Sequence, residues 1–172
     1  MAKSNAKNTT PSVAKDMTSS EKALRTAIWA RIMTKYLISR SSKGGVKWQL
    51  VEFNGKKRQE SYGIVDLIAI RKDHKKSQNG GKRGDLFEII LIQVKGGTAR
   101  FPSEDDVGRL MAVRKHHNAD KVVLVEWKKG KKLDCYEMTD MKNPVDASKI
   151  FGKVPKVTKS NIRSALAKAK GQ

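Results

Sequence analysis

The chain has 172 residues, of which 37 are Lys or Arg and 17 are Asp or Glu, giving a formal net charge of +20. That length suits one domain with a real core. No run approaches the roughly 18 apolar residues of a membrane span, and the N-terminus lacks the apolar segment of a secretory signal. Cys135 is the single cysteine, which excludes a disulfide framework or a multi-cysteine zinc site. An intracellular location, cytoplasmic or nucleoid-associated, is expected. Residues 1–20 carry +2 and residues 150–172 carry +6, so +12 remains on the middle of the chain. Basicity on the folded part makes nucleic acid the expected partner, through phosphate neutralisation and counterion release. A solvated surface, or an acidic protein partner, is the alternative.

In chain order, residues 1–17 read as a disordered basic arm. A helix should begin at Thr18, where Thr18 and Glu21 have capping-box spacing. Its apolar positions Leu24, Ile28, Ile32 and Tyr36, widened by Ala27, Trp29 and Met33, predict the buried stripe. "SSKGG" at 41–45 ends it. "VKWQLVEF" alternates at Val46, Trp48 and Leu50 as a half-buried strand, and Asn54-Gly55 signals a hairpin turn. "GIVDLIAI", 63–70, is apolar apart from Asp66 and reads as a central strand. The polar loop "RKDHKKSQNGGKRG" leads to the strand "FEIILIQVKGG". Ser103 with Glu104, Asp105 and Asp106 starts a second helix, with Val107, Leu110 and Met111 on its inner face. "KVVLVEW" is another buried strand, and "KLDCYEM" is expected at the sheet edge. Residues 139–157 look mostly irregular before the short basic helix "TKSNIRSALAKAK". The expected division is an arm at 1–17, a domain at 18–140 and a basic extension at 141–172.

Period-2 alternation places Ile89, Leu91, Gln93 and Lys95 on one face of their strand and Glu88, Ile90 and Ile92 on the other. A lysine ammonium closing an apolar strand needs a carboxylate, a route to water or a chemical role. Asp66 in one strand, facing Gln93-x-Lys95 at the end of the next, resembles the PD-(D/E)XK nuclease superfamily. Within it, "SYGIVDLIAI" and "LIQVKGG" look most like the archaeal Holliday-junction-resolvase-like members. The resemblance spans residues 20 to 127. It implies an α/β fold with a restriction-endonuclease-like αβββαβ core: a mixed central sheet flanked by helices, here with an added edge strand and a C-terminal helix.

The same resemblance implies a metal-dependent endonuclease acting on DNA rather than RNA, with Mg²⁺, or Mn²⁺ in its place, and a homodimer as one arrangement for cutting two strands. Asp66 and the Val94 carbonyl would be metal ligands, and Lys95 would orient the attacking water and steady negative charge. Gln93 replaces the usual acid. Its amide oxygen can ligate but brings no charge, which leaves room for a binding-only protein on the same scaffold. Glu21 would complete the site, or else simply close the helix cap. Expected nucleic-acid contacts are Lys56, Lys57, Arg58, Ser61, Lys75, Lys76, Lys82, Arg83 and Arg100. Glu88 reads as a surface or hairpin residue, His116 and His117 as a helix end, and the three tryptophans as core.

Overall fold

The computed structural model describes residues 17–53, 63–74 and 82–170. Residues 1–16 of the expected basic arm, Asn54-Gly55, and Lys56, Lys57, Arg58, Ser61, Lys75 and Lys76 therefore lie outside the described residues. Helix α1, Ser19–Ser39, starts as its capping box dictates. The Glu21 N–H donates to Thr18 Oγ1 at 3.2 Å, and the Thr18 N–H donates to the Glu21 carboxylate at 2.7 Å.

The buried face of α1 differs from the expected stripe. Ala30, Met33, Thr34, Leu37 and Ile38 are buried, whereas Leu24 and Ile28 are 47% and 49% exposed. Gly96 of the sheet lets the backbone of α1 approach closely at Thr26 and Ala27. A Cβ at Gly96 would stand 2.8 Å from Ala27 Cα and 2.9 Å from the Thr26 carbonyl oxygen. Leu24 and Ile28 repeat at helical spacing, yet they lie on the side away from this contact.

After α1, "SSKGG" does more than stop the helix. Strands β1, Ser42–Lys43, and β2, Val46–Lys47, form a small hairpin turning at Gly44 and Gly45, whose φ values are 60° and 80°. That left-handed region favours glycine. Trp48 follows, buried, with its indole N–H donating to the Phe151 carbonyl at 2.9 Å. The main sheet comprises β3, Gln49–Glu52; β4, Leu67–Asp73; β5, Leu86–Gly96; β6, Lys121–Trp127; β7, Leu133–Glu137; and β8, Asp140–Val145. Spatial order follows chain order, β3 to β8, and only β5–β6 is parallel. Helix α2, Glu104–His116, makes the crossover between those parallel strands. It begins at Ser103, whose side chain caps Asp106 reciprocally.

The two faces of β5 bury different partners, as its alternation requires. Ile90 and Ile92 pack with Leu37 and Ile38 of α1, together with Trp48, Val123, Val125, Ile150 and Phe151. Leu91 packs with Leu110 of α2, Val122 and Leu124. Two expectations need correction. The strand "KLDCYEM", β7, is interior because β8 pairs beyond it. Residues 139–157 are not mostly irregular: besides β8 they form α3, Ala147–Phe151, whose Ile150 and Phe151 are fully buried. Helix α4, Lys159–Lys170, then docks on α1 through Ile162, Ala30 and Met33. Among the described residues no helix is long and apolar enough to cross a membrane.

Candidate functional site

Strand β4 leaves its ladder with β5 at Asp66. Leu67 is opposite Ile92, so Asp66 stands level with Gln93. Its own N–H donates to the Ile92 carbonyl at 2.9 Å, and its carbonyl accepts from Phe53 N–H at 3.1 Å. The carboxylate replaces a backbone acceptor: Oδ2 takes the Val94 N–H at 2.7 Å. Oδ1 takes the Arg31 guanidinium of α1 at 2.8 Å, with the side chains 19% and 15% exposed. The acid at the strand end is thus held by both a neighbouring strand and the helix above it.

Gln93 and Lys95 fall on the Leu91 face of β5. Gln93 is buried, and its Oε1 is a buried acceptor with no hydrogen-bond partner among the described residues. An orphaned acceptor of this kind costs about 1–3 kcal/mol, so something normally satisfies it. Lys95 is half-buried at the end of the strand. The structure therefore brings Asp66, Gln93 and Lys95 to one end of β4 and β5. Glu21 is exposed, with its carboxylate closing the α1 cap. Of the expected nucleic-acid contacts that are described, Lys82, Arg83 and Arg100 are exposed.

Glu88 is not a surface residue. It is buried and ion-paired to Arg71, also buried, and to Lys43. Arg71 additionally lies over the Trp48 ring, 5.4 Å from its centroid. Burial of both partners is tolerated because each charge has a close counter-charge. The pair braces the α1 side of the sheet, away from Lys95.

One acid escaped the reading of the sequence. Glu126 is level with Lys95 in the parallel register, and Asp134 is level with Glu126 across β7. The Glu126 side chain is only 5% exposed and pairs with Lys128 at 3.1 Å. Burial and the nearby Asp134 and Glu126 carboxylates push the Tyr136 phenol above its ordinary range. The signal was present: a carboxylate inside the apolar run "KVVLVEW" is the same anomaly as Asp66 in "GIVDLIAI". Among the described residues, however, no group of three or more His, Cys, Asp or Glu side chains could hold a metal.

The order α1–β3–β4–β5–α2–β6, with β6 parallel to β5 and helices on both faces, defines a mixed α/β fold around a six-stranded sheet. No protein-family profile matches the sequence, and no curated protein does. Among solved structures the chain is similar to Hjc of Archaeoglobus fulgidus, a Holliday junction resolvase from an archaeal hyperthermophile. The identity is 11%, the match covers 78% of this chain and 99% of that one, and the TM-score is 0.43.

Proposed function

We propose that the chain is a metal-dependent endonuclease that hydrolyses phosphodiester bonds in DNA, with selectivity for branched structures in the manner of a resolvase. The observation that carries this reading is the buried, unsatisfied Gln93 Oε1 beside Lys95 and level with Asp66. It is an acceptor oxygen, open to a hydrogen-bond donor or to a cation. Asp66, Gln93 Oε1 and the Val94 carbonyl would hold Mg²⁺ or Mn²⁺, an oxygen set of the kind such hard cations take alongside several waters. When bound, the ion would supply positive charge to the phosphate and lower the pKa of a water. Lys95 orients that water and steadies the phosphate's negative charge from the strand end. Val94 N–H and Arg31 fix the Asp66 carboxylate in direction. Glu21 is the conditional member, since its carboxylate must leave Thr18 to reach a cation. A homodimer would present two such sites to the two strands of a substrate.

A second reading, a nucleic-acid-binding protein without catalysis, is favoured by the Arg31–Asp66 ion pair, which neutralises the one acid of this set. Incubating purified protein with branched, duplex and single-stranded DNA separates the two, using Mg²⁺, Mn²⁺ and chelator. Cleavage with either metal is expected, lost in Lys95→Ala while duplex affinity stays. Gln93→Glu should need less Mg²⁺ and should gain a larger Mg²⁺-dependent rise in Tm than the natural protein. If no substrate is cut with either metal, and Gln93→Glu creates no activity, the enzyme reading falls and the binder stands.

A further inference from the structure

Where β5 and β6 finish, α4 lies against α1 and the two helices enclose a basic, tryptophan-lined groove. The Lys159 ammonium sits over two indoles, 5.3 Å from the Trp29 ring centroid and 4.9 Å from that of Trp127. Arg163 also lies over Trp29, at 6.0 Å. Lys22 and Arg25 of α1 and Lys129 of the β6–β7 turn complete the rim of a cavity of about 250 Å³. None of these five cations has a carboxylate within ion-pairing distance among the described residues. Lys22 and Lys159 stand near the starts of their helices, the positive ends, and α4 has no acid in its first turn. Like charges gathered in this way raise the free energy of the folded chain unless an anion joins them. Contact with the indole faces holds the Lys159 charge in place in advance of any ligand.

The groove lies on the α1 side of the sheet, the opposite face from Lys95, and meets the candidate site where β5 ends at Gly96 and Gly97. Gly96 is level with Trp127, and the Gly97 N–H donates to the Trp127 carbonyl at 2.9 Å. Thr26 lines the cavity, and its methyl carbon is 3.2 Å from where a Gly97 Cβ would stand. The cavity therefore opens beside the two residues that follow Lys95.

We propose that this groove seats the phosphodiester backbone of the DNA strand presented to Lys95, holding phosphates next to the one that reacts. The inference rests on the DNA reading above and names a surface for it, built by the C-terminal helix. The cations of the rim meet the phosphate oxygens, and the paired indoles fix where Lys159 points.

The test is anisotropy of a short labelled DNA duplex over a salt series, with the full chain. Arg25→Glu/Lys129→Glu reverses two rim charges and leaves the α1–α4 joint alone. Lys115→Glu/Lys149→Glu makes the same change in net charge on α2 and α3. The groove pair should weaken binding at least about tenfold and flatten the log–log salt slope by about two, one for each phosphate that the rim no longer neutralises. The remote pair should leave the slope nearly unchanged. Lys159→Gln, which keeps the stem over the indoles, should flatten it by about one. Equal losses from the two pairs, or no loss from the groove pair, would overturn the groove while leaving the nuclease reading intact. If the natural protein binds no DNA, the nuclease reading fails as well.

Discussion

The Arg31 guanidinium reaches from α1 to Asp66 Oδ1 at 2.8 Å, while the other carboxylate oxygen accepts the Val94 N–H. Helix, strand end and acid are thereby locked together. A cation at Asp66 must share the carboxylate with Arg31. Arg31→Met should consequently lower the Mg²⁺ concentration that half-saturates cleavage, and should also cost about 1–3 kcal/mol of stability through the lost charged hydrogen bond. Mg²⁺ titration of cleavage alongside urea unfolding checks both. An unchanged Mg²⁺ requirement would show that Asp66 is not a ligand.

Gly96 and Gly108 should respond oppositely to alanine. At Gly96 the new methyl would meet the backbone of Thr26 and Ala27 at 2.8–2.9 Å, and backbone cannot swing aside. Gly96→Ala should destabilise by about 1–3 kcal/mol or more and push α1 off the end of β5, reducing cleavage with it. Gly108 lies inside α2 with nothing within 4 Å of an added Cβ. Gly108→Ala should stabilise by about 0.5–1 kcal/mol. Denaturant midpoints of the two variants make the comparison.

The Arg71–Glu88 pair predicts a non-additive double mutant. Glu88→Gln leaves a buried guanidinium with a weakened partner set and should cost about 3 kcal/mol, moderated by Asp73 at 3.5 Å from Arg71. Arg71→Met/Glu88→Leu removes both charges and should be markedly more stable than Glu88→Gln. Unfolding curves in which the double variant is the weaker of the two would show that the charges do more than compensate each other.

Burial, aided by Asp134 and Asp146, pushes the Cys135 thiol up to about 12. The native thiol should therefore resist alkylation at mildly alkaline pH and react freely in denaturant. Linkage gives the direction of the pH effect. The unfolded thiol ionises near 8.5 and the folded one near 12, so this contribution is complete below about pH 8.5 and disappears as pH rises to about 12. Cys135→Ala should show a shallower alkaline loss of stability than the natural protein. Identical alkaline profiles would refute this assignment.

Much of the fold was legible because its signals are local. Thr18 with Glu21 and Ser103 with Asp106 mark helix starts within four residues. The alternation through Ile89 to Lys95 separates two faces without reference to any partner. Asp66 and Lys95 were conspicuous as charges in apolar strands, and strand pairing does bring them to one end of the sheet. Glu126 carried the same mark and was passed over, since "KVVLVEW" satisfied the pattern of a buried strand.

Other features depend on which surfaces meet. Periodicity said that α1 is amphipathic and pointed to the stripe through Leu24, Ile28, Ile32 and Tyr36. The close approach of Ala27 to Gly96 goes with burial of the face through Ala30, Thr34, Leu37 and Ile38, and leaves Leu24 and Ile28 exposed. Glu88 looked like a surface acid until Arg71, 17 residues away, and Lys43, 45 residues away, enclosed it. Trp29, Trp127 and Lys159 come from three separate elements, and no spacing in the chain relates them. The sequence by itself determined the starts of α1 and α2, the two faces of β5 and the two charged residues out of place in apolar strands, because each follows from neighbours a few bonds away. The tertiary structure alone decided the Arg31–Asp66 pair, the level placement of Glu126 beside Lys95 and the groove between α1 and α4. Those depend on close packing between segments remote in sequence, where shape and counter-charge, rather than local propensity, select the partner.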